Sequence, residues 1–535
     1  MHRSIALLLS ACVFAGPAHA QSFSPERIRS DVAFLADDLL EGRGTGTRGY
    51  DLAARYVASR FEALGLQPGT ADGWYQNVPF ITFSADPTKS SSITFGGKSF
   101  ANADHVLVGP SILGETVEGT ADAVFVGYGL EDKRYGLDDY RGLDVRGKIA
   151  VSIYGTPEGL PSDVAATLSE KKPDLAAAKG AIGTIVILTP GLLKRFPWGK
   201  ILENSALPRM RWAHPDGRPD LPNPTLRLGA SLDPTAAEQL FANTPLAGGK
   251  LAALLADPKA RPKGFAIPGK VRIERFSKID KVRSPNVIGM LPGSDPTLAN
   301  EVVLLSAHLD HLGIVTGKNG DTIANGAMDN ASGVATMMEV ARAFVESGQR
   351  PKRSVMFVAL TGEEKGLFGS EYLATYPSLP GKRVVANVNL DMPILTYDFT
   401  DVIAFGAEHS TVGEAVARAA AAERITLSPD PEPEEQFFVR SDHYSFVKKG
   451  VPALSLDTGQ ANGGKEAGEA FRRARYHDVS DDMTQKINWQ AGAKFARLNY
   501  LVARDLADAA QAPRWYAGDF FGDQFAKGQP KAPKP

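Results

Sequence analysis

The stretch "SAHLDHLG", residues 306–313, places two histidines and an aspartate within four positions: His308, Asp310 and His311. The whole chain contains only nine histidines, so this pairing is informative. The stretch follows the apolar run "EVVLLS", which predicts a buried strand that ends near His308. Imidazole and carboxylate groups at a strand end can hold a metal ion or move a proton. The segment therefore predicts a metal-binding or catalytic site.

Further segments place polar groups after apolar runs or in loops. They are "GAMDNASG" with Asp329, "TGEEKGLFGS" with Glu363 and Glu364, "NLDM" with Asp391, and "RYHDVSDD" with His477. Each segment alone has a plain structural explanation as a turn, a helix cap or a surface loop. Together they offer imidazoles and several carboxylates, which are the ligands that a pair of hard or borderline metal ions requires.

From Ser284 onward, strand-like runs alternate with a helical pattern. "EVVLLSAHLD", "KRSVMFVALTGEE" and "RVVANVNLDM" predict strands, and "ASGVATMMEVARAFVES" predicts a helix capped by Asp329 and Asn330. This alternation predicts an α/β domain with much parallel sheet. Ligands bind at the carboxyl ends of strands in such sheets. We therefore expect the polar groups that follow the strands to meet at one edge.

The rest of the chain has a different texture. Residues 24–69 predict two helices separated by "EGRGTGTRG", with Ser24 as the cap and Pro25 in the first turn. Residues 90–280 combine short strand-like runs, turn signals and one Ala-rich helix, without a catalytic-looking cluster. They predict an accessory β-rich domain. The tail "KGQPKAPKP" is rich in Lys and Pro and predicts a flexible segment.

Composition narrows the classes of function. The 535 residues suggest two or three domains, and 43% hydrophobic with 22% charged residues is ordinary for globular proteins. A formal net charge of −2 gives no indication of nucleic-acid binding, which requires a basic face. Cys12 is the only cysteine and falls within a predicted leader. We therefore expect no disulfide, no thiol nucleophile and no Cys-ligated zinc in the mature protein.

The first twenty residues read as a signal peptide. Arg3 supplies the positive start, residues 5–15 are apolar, and Ala18, His19 and Ala20 form a small-x-small cleavage site. The apolar stretch is too short to span a bilayer, and no later stretch is long enough. The chain is expected to be exported, to the periplasm or outside the cell. An alternative is a lipoprotein anchored through Cys12, because "LSAC" resembles a lipoprotein processing box.

Six motifs in order resemble the co-catalytic di-zinc exopeptidases, which include bacterial leucine aminopeptidases and, more distantly, glutamate carboxypeptidase. They are "AHLD", "GAMDNASG", "GEEKGLFGS", "NLDM", "RSDHYSF" and "YHDVSDD", and the resemblance covers roughly residues 24–80 and 284–510. The segments "FVGYGL", "YRGLDVRGKIAV" and "AAAKGAIGTIVI" resemble the protease-associated domain that some members carry.

This resemblance implies an α/β fold, a three-layer α/β/α domain with a mostly parallel mixed sheet. The implied division is a signal peptide (1–20), the first part of the peptidase domain (21–100), an inserted protease-associated domain with its connecting strands (101–280), the main part of the peptidase domain (281–515) and a flexible tail (516–535).

The resemblance also implies two zinc ions per chain and roles for individual residues. His308 and Asp391 would bind one zinc, Glu364 and His477 the other, and Asp329 would bridge both. Glu363 would be the general base. Asp310 would accept a hydrogen bond from the other ring nitrogen of His308 and so fix the tautomer of His308. His311 has no ligand role in the family pattern, and we expect it to form hydrogen bonds near the site.

Arg440 and Tyr476 match a pair that contacts the reacting carbonyl in some aminopeptidases. The adjacent Ser441, Asp442 and His443 do not suggest a serine hydrolase, because a triad is assembled from separated positions. They are expected to support the metal site instead.

The implied function is that of an exported zinc aminopeptidase acting on peptides, with a water bridged by the two zinc ions and Glu363 as base. A carboxypeptidase or dipeptidase of the same fold is the alternative. A glutaminyl cyclase, which uses one zinc, and a non-catalytic receptor-like relative fit the full ligand set less well. Side-chain preference and oligomeric state do not follow from the sequence.

The leader predicts that the mature protein begins at Gln21. N-terminal sequencing of the exported protein should read Gln21 first, because cleavage follows the small residue Ala20. A lipid-modified N-terminus at Cys12 would contradict this prediction and place the protein on a membrane.

Overall fold

The computed structural model describes residues 22–318 and 320–535. The predicted signal peptide and Cys12 lie outside the described residues. None of the described helices is both long and apolar enough to cross a membrane.

The sheet that carries the predicted site is mixed, with a parallel centre. Its strand order is Gln67–Pro68, Phe265–Leu291, Ser354–Leu360, Glu301–His308, Arg383–Leu390, Ala453–Thr458, Asp401–Phe405 and Thr426–Ser428. The strands from Ser354–Leu360 to Ala453–Thr458 in this order are parallel to one another. Their carboxyl ends therefore lie at one edge.

Both faces of this sheet are buried, which explains the unbroken apolar run "VVLL". Val303 and Leu305 pack into the core on one face, and Val302 and Leu304 pack into a smaller core on the other. Helices Pro25–Leu35, Arg48–Ala63, Gly333–Glu346, Val412–Glu423 and Trp489–Asp508 cover the first face. Helices Phe368–Thr375 and His443–Val447 cover the second. The predicted three-layer α/β/α fold is confirmed.

The N-terminal helices begin and end where local sequence chemistry requires. The Ser24 side chain accepts a hydrogen bond from the Arg27 amide, and Pro25 occupies the first turn. The 3-10 turn Asp38–Arg43 then leads into helix Arg48–Ala63. A Cβ at Gly49 would lie 1.8 Å from the Leu40 carbonyl oxygen, so only glycine allows the turn and helix to pack this closely.

A second sheet and a second hydrophobic core occupy the middle of the chain. The strands are Ser92–Phe95, Lys98–Ala101, Val106–Leu107, Thr116–Phe125, Ile149–Ile153, Gly183–Ile187 and Leu228–Leu232. The helices are Ser162–Glu170, Lys172–Ala178, Pro190–Arg195, Trp198–Ala206, Pro234–Leu240 and Lys250–Ala256. The sequence predicted one helix here. The others were missed because helices of six to nine residues are too short for a clear apolar period.

The two sheets share one long strand, Phe265–Leu291. Its first half pairs with Thr116–Phe125 of the second sheet, and its second half pairs with Tyr75–Ala85 and Ser354–Leu360. Strand Arg209–Trp212 also pairs with Tyr75–Ala85, and the Trp212 indole donates to the Glu371 carboxylate at 3.0 Å. We call the region with the second sheet, from Ser92 to the first half of strand Phe265–Leu291, the inserted part. It is thus joined to the central sheet by backbone pairing.

Several short elements complete the described chain. Two are hairpins, Glu131–Asp132 with Leu137–Asp138 and Gly313–Lys318 with Asp321–Ala324. Four are 3-10 turns: Lys133–Tyr135, Ala407–His409, Pro433–Glu435 and Phe437–Val439. The others are the π-helical segment Ala327–Ser332 and helices Gly464–Ala474 and Phe520–Phe525. The helix after Asp329 begins at Gly333, whose amide donates to the Asn330 side chain. Asp329 is therefore not its cap.

The tail, residues 516–535, is not the free segment that its composition predicted. Trp515, Tyr516, Phe520 and Phe521 are buried against the domain, and helix Phe520–Phe525 forms there. The Lys531 ammonium donates to the carbonyls of Gly522 and Ala526. The Lys and Pro content concealed a group of aromatic residues large enough to anchor the segment.

Candidate functional site

Polar groups from neighbouring strand ends meet at one edge of the central sheet. His308 is the last residue of its strand, and Asp391 directly follows Arg383–Leu390. Glu363 and Glu364 come shortly after Ser354–Leu360. These four side chains, with Asp329, His477, Tyr476 and Arg440, line a cavity of about 640 Å³.

The two oxygens of the Asp329 carboxylate face two different groups of side chains. Oδ1 lies 3.2 Å from His308 Nε2, and that nitrogen lies 3.1 Å from Asp391 Oδ1. Oδ2 lies 3.5 Å from His477 Nε2, and that nitrogen lies 3.3 Å from Glu364 Oε2. Asp329 thus stands between two separate ligand sets.

These separations fit zinc. Zinc–nitrogen and zinc–oxygen bonds near 2.0–2.1 Å in a tetrahedron place the ligand atoms roughly 3.3 Å apart. Each imidazole nitrogen lies 3.1 to 3.5 Å from the carboxylate oxygens of its set. Imidazole and carboxylate donors also match the ligands that zinc accepts. The residues present therefore fit two zinc ions that share Asp329.

His311, which has no ligand role in the family pattern, belongs to this cluster and forms a hydrogen bond there, as expected. It is fully buried, its Nδ1 donates to Glu364 Oε1 at 2.7 Å, and it lies 3.9 Å from Asp329 Oδ2. Burial and the Asp329 charge would raise the pKa of Glu364, yet hydrogen bonds from His311 and His477 lower it to about 2. His311 therefore orients Glu364 and keeps it ionised.

Asp310 accepts a hydrogen bond from the other ring nitrogen of His308, as expected, and does so through its main chain. His308 Nδ1 donates to the main-chain carbonyl of Asp310 at 3.0 Å, not to the Asp310 carboxylate. The chain turns directly after the strand, which brings that carbonyl beside the ring and frees the side chain. The Asp310 carboxylate accepts from the Thr45 hydroxyl at 2.8 Å and from the Glu363 amide at 3.2 Å. It therefore holds the turn that carries Glu363.

Glu363 lines the same cavity, and one of its carboxylate oxygens lies within 4.8 Å of ligand atoms of His308 and Glu364. Burial is the main reason that its pKa lies well above the ordinary value for Glu, and the charges of Asp391, Glu364 and Asp442 act in the same direction. His308 opposes the shift. A carboxyl group with a raised pKa beside a cavity is suited to proton transfer near neutral pH.

Tyr476 and Arg440 lie at different depths. The Tyr476 ring stacks on His477 with centroids 3.9 Å apart, and burial raises the pKa of its hydroxyl. Arg440 is 45% exposed, and its guanidinium donates to the Glu435 carbonyl at 3.0 Å and carboxylate at 3.2 Å. Tyr476 is therefore beside the ligands, whereas Arg440 is at the rim.

Arg43 is a site residue that sequence reasoning missed. Its buried guanidinium donates to the carbonyls of Leu309 at 2.9 Å and Gly326 at 3.0 Å, and also to those of Leu35 and Asn325. It thereby joins the turn after His308 to the segment before Asp329. Burial lowers the pKa of Arg43 to about 10, against the pull of nearby carboxylates, so it stays charged at neutral pH.

Other supporting contacts surround the two metal-facing aspartates. The Asp481 carboxylate accepts from the amides of Met328 and Asp329, each at 3.0 Å. Ser441 donates to Asp391 and accepts from the Asn389 side chain at 2.8 Å. Asp481 lies in the "YHDVSDD" motif, but nothing in the sequence showed which backbone it would hold.

Comparison with known proteins identifies the domain that holds these residues. Residues 286–503 match the family model for Peptidase family M28. These residues are similar to that family, and we call them the M28 domain. All five expected metal ligands lie in the M28 domain, and the predicted resemblance to zinc exopeptidases is confirmed.

Relatives of the M28 domain carry peptidase names. A probable leucine aminopeptidase 2 of Aspergillus oryzae is 28% identical over 245 residues, 42% of this chain and 46% of the relative. The leupeptin-inactivating enzyme 1 of Streptomyces exfoliatus is 30% identical over 215 residues, 37% of this chain and 43% of the relative. The chain thus spans less than half the length of each of these relatives.

One solved structure shares the fold over most of the chain. The aminopeptidase from Aneurinibacillus sp. strain AM-1 matches with a TM-score of 0.51 and 20% identity. The match covers 92% of this chain and 96% of that protein. The α/β fold is therefore shared beyond the M28 domain and includes the inserted part.

Replacing Arg43 by Lys should weaken the metal site without removing a ligand. A lysine keeps the charge but cannot reach the several carbonyls that the planar guanidinium joins. We expect Arg43→Lys to lower the melting temperature of the metal-free protein and to weaken zinc binding about tenfold or more, as losses of supporting contacts do. Calorimetry and zinc titration measure both. The exposed Arg55→Lys is the control, and an Arg43→Lys protein equal to it would contradict the positioning role.

Proposed function

We propose that the chain is a zinc-dependent aminopeptidase that hydrolyses N-terminal peptide bonds with two zinc ions. The observation that carries this proposal is the position of the Asp329 carboxylate between two ligand sets, with Glu363 beside them in the same cavity. The names of relatives, which include leucine aminopeptidase and zinc metalloprotease, support a peptidase reading.

Each ligand set would hold one zinc ion. His308, Asp391 and Asp329 Oδ1 would hold the first, and Glu364, His477 and Asp329 Oδ2 the second. When bound, zinc supplies a Lewis acid that polarises a carbonyl and makes water easier to deprotonate. The carboxylates of Asp329, Glu363, Glu364 and Asp391 would offset the two divalent charges.

Glu363 would move the protons of the reaction. Its carboxylate would take a proton from the attacking water and deliver it to the leaving amine. The hydrogen bond from the Glu363 amide to Asp310 fixes the turn. The Glu363 carboxylate is therefore held in position before the reaction begins. Its raised pKa suits both halves of this exchange.

Tyr476 would stabilise the negative charge that develops on the carbonyl oxygen. Its raised pKa keeps the hydroxyl protonated, so that it can donate a hydrogen bond. Stacking on His477 holds the ring in one orientation. Arg440 would act at the rim, where it shares Glu435 with Arg195 of the inserted part.

The charges that line the cavity favour a substrate with a free amino group. Arg195 and Arg440 pair with Glu435. Arg472 pairs with Glu432 at 2.9 Å. A carboxypeptidase needs a cation that is free to bind the substrate carboxylate, and these arginines already have carboxylate partners.

Asp457 offers the complementary anion. Its carboxylate lines the cavity and, among the described residues, accepts hydrogen bonds only from Thr458. Leu390 pairs with Leu456 in parallel strands, so Asp391 and Asp457 follow side by side. Burial raises the pKa of Asp457 to about 7, and a bound ammonium group would favour its ionised form. Asp457 would therefore receive the substrate's α-amino group.

Two parts of the proposal rest on sequence patterns. The leader at residues 1–20 supports export, and the "FVGYGL" and "GKIAV" segments support a protease-associated domain in the inserted part. The side chains of Arg195 and Phe196 from this part line the cavity. The inserted domain would thus shape access for peptides.

The adjacent residues Glu363 and Glu364 should fail in different ways. Glu364→Ala removes a ligand, so zinc content and activity should both fall. Glu363→Gln should keep its zinc and lose kcat by about 10² to 10⁴-fold, because only proton transfer is lost. Metal analysis and steady-state kinetics on an aminoacyl-anilide separate the two effects. Near-normal kcat in Glu363→Gln, or zinc loss equal to that of Glu364→Ala, would rule out the assigned roles.

Asp457→Asn should raise KM for substrates with a free α-amino group by roughly 10 to 100-fold, the usual worth of a charged hydrogen bond. Zinc content should not change. Aminoacyl-anilides report this effect, and the exposed Glu466→Gln is the control for surface charge. Unchanged KM would remove Asp457 from substrate binding. If the unchanged protein cleaves N-blocked peptides with a free carboxyl end faster than it cleaves aminoacyl-anilides, the protein is a carboxypeptidase instead.

A further inference from the structure

We propose a separate divalent cation site outside the catalytic cavity, formed by Asp163, Glu408 and His409. One ligand atom of each residue lies within 4.8 Å of the others. Asp163 is in the first turn of helix Ser162–Glu170 in the inserted part. Glu408 and His409 lie in the 3-10 turn after strand Asp401–Phe405 of the central sheet. The site therefore spans the two parts of the chain.

His409 has one nitrogen ready for a metal. Its Nδ1 donates to Asp519 Oδ2 at 2.7 Å. Its Nε2 is shielded from solvent, has no hydrogen-bond partner, and lies 3.6 Å from Glu408 Oε1. Metal-binding histidines commonly donate a hydrogen bond from their other ring nitrogen to a carboxylate in this way. A buried polar nitrogen without a partner also calls for one.

The His409 ring cannot turn away to satisfy this nitrogen elsewhere. Its centroid lies 4.7 Å from that of Phe438 and 4.8 Å from that of Phe521. These rings and the bond to Asp519 fix the plane of the imidazole. Nε2 therefore stays directed at the group formed with Glu408 and Asp163.

The His409 imidazole offers the two carboxylates at this site at most one positive charge. Burial would lower the pKa of His409, but the hydrogen bond to Asp519 and the charge of Glu408 raise it. Burial raises the pKa of Asp163 to about 6, and the charges of Glu408 and Asp430 act in the same direction, while His409 opposes them. Asp163 and Glu408 form no ion pair with a Lys or Arg within the described part of the chain. A divalent ion would offset their charge and complete the coordination of His409 Nε2.

The donor set selects the class of cation. One imidazole with carboxylates suits zinc and related transition metals, whereas Mg²⁺ and Ca²⁺ prefer all-oxygen sites. The Glu408 side chain is 61% exposed, so an ion can enter from solvent. The ion proposed for this site is therefore Zn²⁺.

A zinc ion here would hold the inserted part against the wall of the catalytic cavity. Helix Ser162–Glu170 packs against the turns Pro433–Glu435 and Phe437–Val439. Glu435, Phe437 and Val439 of these turns line the cavity. The ion would link this helix directly to the 3-10 turn Ala407–His409 of the peptidase domain.

The test is the zinc content of the full-length protein and of single variants, measured by mass spectrometry after zinc loading and gel filtration. Asp163→Asn and Glu408→Gln should each carry one zinc fewer than the unchanged protein. Glu170→Gln is the matched control, because Glu170 is on the same helix and pairs with Lys448 of the peptidase domain at 3.3 Å. It should keep the full zinc content.

Because the result is a difference, it does not depend on how many zinc ions the catalytic cavity holds. Direct titration should show one zinc binding step weakened at least about tenfold in both variants, with unchanged aminoacyl-anilide turnover at saturating zinc. Glu408 is exposed, so Glu408→Gln tests the site even if Asp163→Asn does not fold. Equal zinc content in all four proteins, or a site filled by Ca²⁺ and not by Zn²⁺, would overturn the proposal.

Discussion

The concentration of buried negative charge at one edge of the central sheet is the constraint on which the site depends. Asp329, Glu363, Glu364 and Asp391 lie within one cavity, with Asp310 buried beside it. Carboxylates in such a low-dielectric volume repel one another strongly unless they are paired. Histidines and a backbone amide offset part of this charge. The two divalent cations of the proposed enzyme would offset much of the rest.

The strand-end positions could be predicted from the sequence, whereas the contacts that orient them could not. His308 and Asp391 follow apolar runs, and parallel strands bring such ends together. Arg43 reaches the Gly326 carbonyl across 283 positions, and no local pattern reports a contact of that length. The motif predicted the hydrogen bond between His308 and Asp310, but a motif shows residue types and not which oxygen accepts, here the main-chain carbonyl.

The inserted part shows what texture can and cannot indicate. Turn signals and short apolar runs predicted a separate region, and the hydrophobic core found there also includes residues from the central-sheet part of the chain, such as Phe405 and Phe438. The helices of the inserted part are too short to show an apolar periodicity in the sequence. The contribution of Arg195 to the cavity depends on its ion pair with Glu435, which no local pattern predicts. The aromatic residues of the tail likewise mattered more than its average composition.

The most direct test of the account is anomalous X-ray diffraction at the zinc absorption edge from crystals of the zinc-loaded protein. The account predicts two peaks beside Asp329, one between Oδ1, His308 and Asp391 and one between Oδ2, Glu364 and His477. A single peak beside Asp329, or two peaks with Asp329 bound to only one of them, would contradict the bridging role on which the proposed function rests.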